Sequence, residues 1–214
     1  YTFLSVKKGY DFVNGDNDPM DDHGHGTFVG QILKNPHSNL PLVNTEVFAV
    51  KVLNEIGQGS VSNIIEGIYW SIENNMDIIL MSFGGDKNSQ FLYEAIIEAY
   101  NNNITLIAAA GNNNKDLLFP AKYNETLSVG SVNQKLQRSS FSNYGNRLDF
   151  VEPGEDILVT NGQSFFKISG TSLSVPHLGI ISAAYISQNN FSPQVLKSIL
   201  INTSIDLGKN GRDN

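Results

Sequence analysis

The 214-residue chain has no cysteine, which excludes disulfide stapling and thiolate metal centres and leaves the compartment open. Its fold rests on packing alone. Basic residues are scarce: 14 Lys and Arg stand against 21 Asp and Glu, for a net charge of -7, and no Lys/Arg run occurs. Nucleic acid and anionic membrane surfaces are therefore excluded as partners, since both need clustered positive charge. Neither a signal-peptide pattern nor a span of about 18 apolar residues appears, so no membrane span is expected. No repeat, linker or low-complexity tract interrupts the sequence. With 40% hydrophobic residues, residues 1–214 read as one domain around one substantial core.

The apolar residues recur in two alternating patterns. Continuous runs at 45–53, at Ile78 Ile79 Leu80 Met81 and at 104–110 read as strands. Helical spacing marks about 60–74, capped by Ser60, and about 89–101. Strand, helix, strand, helix, strand with unbroken apolar strands predicts a parallel sheet covered on both faces. Ligands bind such sheets beyond the strand C-termini, where Gly57 Gln58 Gly59, Ser82 Phe83 Gly84 and Gly111 Asn112 fall. These glycines either pair with an extended peptide or simply make turns. Further strands are expected at 126–132, 148–151 and 157–160. A central buried helix is expected over 172–188, and a last helix begins at Ser192 Pro193.

Three stretches carry chemistry. Ser172, in Ser169 Gly170 Thr171 Ser172, precedes the buried helix, where unpaired N–H groups favour an alkoxide or oxyanion. An ordinary Ser N-cap is the alternative. His25, in Gly24 His25 Gly26 Thr27, opens an apolar helix and faces a cleft. Asn112 ends the buried run Ala108 Ala109 Ala110 Gly111. Together they supply a nucleophile, a base and an oxyanion donor. Residues 1–25 read as a loop rich in acids. Asp11, Asp16 and Asp18 either wrap a hard cation such as calcium or form a solvated turn held by Asx hydrogen bonds. His23 and His25 lack a third zinc ligand at suitable spacing, with His37 beyond Pro36. His177 reads as a packed histidine.

The fragments His25 Gly26 Thr27, Ala108 to Asn112 and Gly170 Thr171 Ser172 Leu173 Ser174 Val175 Pro176 occur in this order, and on them the chain resembles the subtilisin-like serine proteases (subtilases). The resemblance runs from Gly9 to Asp213. It implies a three-layer α/β fold, mostly parallel, and a serine endopeptidase acting through an acyl-enzyme, with Ser172 as nucleophile, His25 as base and Asn112 as oxyanion donor. It also implies a channel for a polypeptide substrate along Gly57, Gln58, Gly59, Ser82, Phe83, Gly84 and Gly111. A structural calcium on Asp11, Asp16 and Asp18, no organic cofactor, an N-terminal propeptide and secretion or a cell-surface location follow from it too. Phe119 Pro120 matches a place where the family often has a cis bond.

Departures from the family pattern are Phe28 for histidine, Gln31 for glycine, Glu152 for alanine, Leu173 for methionine, and Met20 where a polar calcium ligand can stand. The family's triad aspartate precedes the histidine by about thirty residues, on the first strand, and position 25 leaves no room for it. Asp11 matches the calcium loop instead. The expectation is thus a catalytic domain that lacks its first strand and its closing segment. The alternative is an impaired pseudoprotease or a peptide-binding module.

Overall fold

The apolar runs form the inner strands of the computed structural model, which describes residues 6–34 and 45–207. Expectations drawn on the two ends and on His37 lie outside these residues. Along the chain come β1 (Val6–Asp11), α1 (His25–Lys34), β2 (Val47–Lys51), α2 (Val61–Glu73), β3 (Ile78–Met81), α3 (Gln90–Asn101), β4 (Thr105–Ala109), β5 (Thr126–Val132), β6 (Phe150–Pro153), β7 (Ile157–Thr160) and β8 (Phe165–Ile168). A 3-10 turn (Thr171–Leu173), α4 (Val175–Ile186) and α5 (Pro193–Thr203) follow. Among the described residues no helix is long and apolar enough to cross a membrane.

Strands β3-β4-β5-β6 form one parallel sheet, in that order. β4 and β5 are buried along their whole length, which is why their sequences are apolar or small without alternation. Side chains of β4 divide by parity: Leu106 and Ala108 join α2 and α3 in one core, Ile107 and Ala109 join α4 and α5 in the other. Three layers result, as expected of the subtilase-like α/β fold. Ser60, Ser89 and Ser192 cap α2, α3 and α5, each accepting from a backbone N–H with its side chain.

Four features differ from the sequence expectation. Residues 6–11, read as loop, form β1 and pair in parallel with β2. No apolar alternation betrays this strand, because its first three residues are exposed and its hold is the ladder itself. Gly9 fits there because a side-chain carbon would lie 2.5 Å from the Ala49 carbonyl oxygen. Second, among the described residues the β1-β2 pair is not hydrogen-bonded to the four-stranded sheet. The one expected sheet is thus two, each with an open edge, at β2 and at β3.

Third, β8 pairs antiparallel with β7, around a turn with Gly162 at φ 88°. Fourth, Ser172 does not start the buried helix. It sits in the 3-10 turn, and α4 begins at Val175. Pro176 has no N–H to bond the Ser172 carbonyl four residues back, so that oxygen is free to accept from Ser82 Oγ at 3.0 Å. The strand expected at 148–151 forms two residues later, and the Phe119–Pro120 bond is cis.

Glu152 lies on β6 opposite Ser131. Burial raises its carboxyl to about 7 from 4.5, and among the described residues no side chain donates to it. The unfolded chain loses this proton near 4.5 and the folded chain near 7, so the stability it contributes is full below 4.5 and lost as pH rises through 7. Glu152→Ala should therefore stabilise the protein more in alkaline than in acidic solution, by about 1 to 3 kcal/mol. Urea denaturation of both proteins on either side of that window measures the difference.

Candidate active site

The C-terminal end of β4 places Asn112, and the end of β8 leads into the turn that carries Ser172. Thr171, fully buried, joins the two. Its N–H donates to Asn112 Oδ1 at 2.9 Å and its Oγ1 at 3.0 Å. Gly111 N–H in turn donates to Thr171 Oγ1 at 3.1 Å. With its oxygen doubly engaged, the Asn112 amide keeps Nδ2 as a free donor. A side-chain carbon added at Gly170 would lie 3.3 Å from Ser172 Oγ and 3.5 Å from Asn112 Nδ2. Hydroxyl and carboxamide therefore converge on one small space, kept open by a glycine.

His25 is the first residue of α1, which packs against the 3-10 turn and α4. The approach to it is fixed by Asp21, whose Oδ1 accepts from His23 N–H at 3.1 Å and Gly24 N–H at 2.8 Å, and whose Oδ2 accepts from Thr27 N–H at 2.6 Å. These are helix N-terminal donors with no intrahelical partner. Burial pushes the Asp21 carboxyl up, but these donors and the Thr27 hydroxyl outweigh it and hold it below the usual range. Burial lowers the pKa of the His25 imidazole, and nearby His23 lowers it further against the opposing pull of Asp21. The ring is thus biased towards its neutral, proton-accepting form. Among the described residues no side chain is hydrogen-bonded to it.

The segments expected to flank a substrate sit around this centre. Gly57, at φ 72°, closes a turn beneath the His23 ring, and Gln58 and Gly59 are exposed beyond it. Ser82 bonds the Ser172 carbonyl, Phe83 packs against the α2 and α3 core, and Gly84 lies beside Leu118. Gly111, at φ 111°, lies where a side-chain carbon would come within 2.8 Å of Leu118.

The structure adds Asn143, which is fully buried. It is a buried hub: Oδ1 accepts from Asn113 N–H at 2.8 Å and Lys115 N–H at 3.1 Å, while Nδ2 donates to the Ala110 and Asp116 carbonyls at 3.1 and 2.8 Å. It thereby fixes the loop that follows Asn112. The only sequence signal was a polar amide between Ser142 and Tyr144 in an otherwise turn-rich stretch. Thr171 and Asp21 had no signal beyond their adjacency to Ser172 and His25.

The acidic loop shows the Asx alternative. Asp11 Oδ1 accepts from the N–H groups of Val13 at 2.8 Å and Asn14 at 2.9 Å, and Oδ2 from Asn14 Nδ2 at 2.9 Å. Lys51 Nζ stands 3.1 Å from Asp11 Oδ2. Asp16 Oδ1 accepts from Asp18 N–H at 2.8 Å, and Asp18 pairs with Lys8 at 2.8 Å. Met20 is exposed. Lysine ammonium groups pair with Asp11 and Asp18, and among the described residues no three His, Cys, Asp or Glu side chains are grouped to hold a metal ion. Nor do His23 and His25, with rings 6.3 Å apart, gain a third ligand. His177 is packed, its pKa lowered by burial and its Nε2 unpartnered.

Comparison with known proteins shows which family the chain matches. A model described as the Subtilase family matches residues 3–214. The minor extracellular protease Epr of Bacillus subtilis (strain 168) is 34% identical over 218 residues, covering 98% of this chain and 34% of that protein. A thermophilic serine proteinase of Bacillus sp. (strain AK1) is 37% identical, covering 91% of this chain and 50% of its own length. Subtilisin DY of Bacillus licheniformis is 34% identical, covering 97% and 80%. The chain thus spans a third to a half of the first two relatives. The crystal structure of a cold adapted subtilisin-like serine proteinase superposes with a TM-score of 0.82 at 33% identity, over 92% of this chain and 74% of that one.

Removing the Asn143 amide leaves the part-buried N–H groups of Asn113 and Lys115 and the Asp116 carbonyl without it, while the Ala110 carbonyl keeps the Leu118 N–H at 2.9 Å. Asn143→Ala should lower the unfolding free energy by about 2 to 5 kcal/mol. Asn143→Asp, which keeps only the acceptor half, should also be destabilised. Urea midpoints at constant m-value report both.

Proposed function

The chain belongs to the subtilase family, and on that premise we propose that it hydrolyses internal peptide bonds through an acyl-enzyme. Ser172 Oγ attacks the scissile carbonyl, and His25 takes its proton and returns it to the leaving amine. The oxyanion forms between Asn112 Nδ2 and the Ser172 N–H. The observation that carries the reading is the convergence of Ser172 Oγ and Asn112 Nδ2 beside Gly170, with the amide turned the right way by Thr171. The lowered His25 pKa supports it, since a neutral imidazole can act as base. An extended polypeptide lying along Gly57, Gln58 and Gly59 on one side, and Ser82, Phe83 and Gly84 on the other, is the substrate this arrangement favours. A relative named as an extracellular protease supports secretion or a cell-surface location. The family resemblance supports a propeptide as a further partner.

A second reading has one observation in its favour. The family steers its base with a carboxylate, and among the described residues none is bonded to His25, on which Asp21 acts by charge alone. An impaired enzyme or a peptide-binding module would look the same. In the active reading, a carboxylate steers the imidazole.

Labelling by a fluorophosphonate separates the two readings. The proposal expects modification at Ser172, none in Ser172→Ala, and an acid limb with a midpoint below the ordinary histidine value of 6.5. Asn112→Ala removes a donor to a charged oxygen, so its labelling should slow about ten- to hundredfold. Casein should be cleaved by the parent and not by Ser172→Ala, whereas labelling without casein cleavage favours the impaired enzyme and no labelling at all favours the binding module.

A further inference from the structure

Helix α1 needs more anchoring than its own burial supplies. Of its ten residues only Ile32 is fully buried, whereas α4 buries seven of twelve. One buried aliphatic side chain contributes about 1.5–3 kcal/mol, which is little to fix a helix whose first residue is His25.

The missing hold comes from Gln31. Its Nε2 donates to the Thr160 carbonyl at 2.6 Å, and its Oε1 accepts from the Thr160 N–H at 3.0 Å. The side-chain amide thus mimics one rung of a β-ladder on β7, whose other edge pairs with β8. One turn earlier in α1, Phe28 meets Phe166 of β8 edge-on, with ring centroids 5.4 Å apart. α1 is therefore tied to both strands of the hairpin.

The same hairpin runs directly into the nucleophile turn. β8 ends at Ile168, four residues before Ser172. Asp156 N–H donates to Ser169 Oγ at 3.0 Å, and Gly170 N–H donates to the Gly154 carbonyl at 2.8 Å, so both ends of the hairpin are pinned together. The helix of the base and the turn of the nucleophile hang from one small antiparallel unit.

We infer that Gln31 is a positioning residue, whose amide sets α1 against the β7-β8 hairpin and thereby sets the His25 imidazole against the Ser172 hydroxyl. The inference rests on the function proposed above. It assigns a role to a residue six positions from the base that touches neither substrate nor reacting atoms.

A pH readout is clean here because few charges surround the ring. His23 and Asp21 act on it from its own approach loop. The 3-10 turn, α4 and β7 bring no Asp, Glu, Lys or Arg, and His177 is their one ionisable group apart from tyrosine. Lys167 of β8 is paired with Asp156 at 3.5 Å. Loosening α1 therefore acts on His25 mainly by admitting water, which raises its pKa towards the ordinary value.

The test compares Gln31→Met, which keeps the side-chain length and removes both bonds, with Gln31→Glu, which keeps the acceptor for Thr160 N–H. Leu158→Ser, at an exposed position on β7, is the control. Two properties are measured on protein shown to be folded by near-ultraviolet circular dichroism: the His25 titration by NMR, and the fluorophosphonate labelling rate against pH. Gln31→Met should raise the His25 pKa and slow labelling about tenfold, since a misplacement of about 1 Å can cost up to a hundredfold. Gln31→Glu should recover part of the labelling rate while its added negative charge acts upward on the His25 pKa, and Leu158→Ser should match the parent. A Gln31→Met protein with the parent's titration and labelling rate overturns the inference and leaves the serine-nucleophile reading standing. If the parent is not labelled, that reading falls, and the titration alone decides the clamp: an unchanged His25 pKa refutes it and a raised one supports it. If Gln31→Met does not fold, the labelling rate of Gln31→Glu carries the same comparison.

Discussion

The two hydrogen bonds that Thr171 gives to Asn112 Oδ1 decide what the rest of the site can do. A carboxamide is nearly symmetric in shape, and rotating it by half a turn would present an acceptor to a developing anion and repel it. Thr171 removes that choice by spending its N–H and its hydroxyl on the oxygen. The hydroxyl has a donor of its own to satisfy it, the Gly111 N–H, so the lock closes on itself. The loop after β4 and the turn before α4 become one rigid unit, and its donor is aimed before any charge forms. In the proposed mechanism this is electrostatic preorganisation built from backbone groups and one threonine.

Backbone accounting carries the same logic outward. Asn143 satisfies two N–H groups and two carbonyls around the loop that follows Asn112, so that loop keeps its shape without secondary structure. Pro176 deprives the Ser172 carbonyl of an α-helical partner, and Ser82 replaces it. That replacement joins the end of β3 to the nucleophile turn. Three strand ends, those of β3, β4 and β8, are thus fastened to one another by groups that ordinary helix and sheet geometry would leave unpaired.

Legibility in the sequence follows the same division. Strands buried on both faces, such as β4 and β5, announce themselves by unbroken apolar runs, and caps such as Ser60, Ser89 and Ser192 by residue type. His25, Asn112 and Ser172 stand in local motifs and could be read directly. β1 could not, because a strand with an exposed start carries no periodicity. The 3-10 turn was hidden because Pro176 is compatible with a helix start and shifts the boundary only through a missing N–H. Asn143, Thr171 and Gln31 act over 27 to 129 positions, and no local pattern encodes a hydrogen bond of that span. The lysine partners of Asp11 and Asp18 were illegible for a related reason, since Lys51 and Lys8 stand on β2 and β1, 40 and 10 positions away.

The split sheet explains why so many polar ties gather on the His25 side. β4 and β5 are held by ladders and by two hydrophobic cores, and Ser172 and Asn112 stand on that solid half. β1 and β2 reach it chiefly through α2, where Phe48 meets Trp70 and Gly67 fits closely against Val52. α1, between the halves, buries little. In a continuous sheet, ladder bonds would transmit the position of one half to the other. Here no ladder crosses among the described residues, and α1 is held by directional side-chain bonds, from Asp21 before its start and from Gln31 near its end to β7. Apolar contact alone is non-directional and tolerates sliding. A base that must meet a hydroxyl at hydrogen-bonding distance does not, so the sequence places amide and carboxylate groups where burial is thinnest.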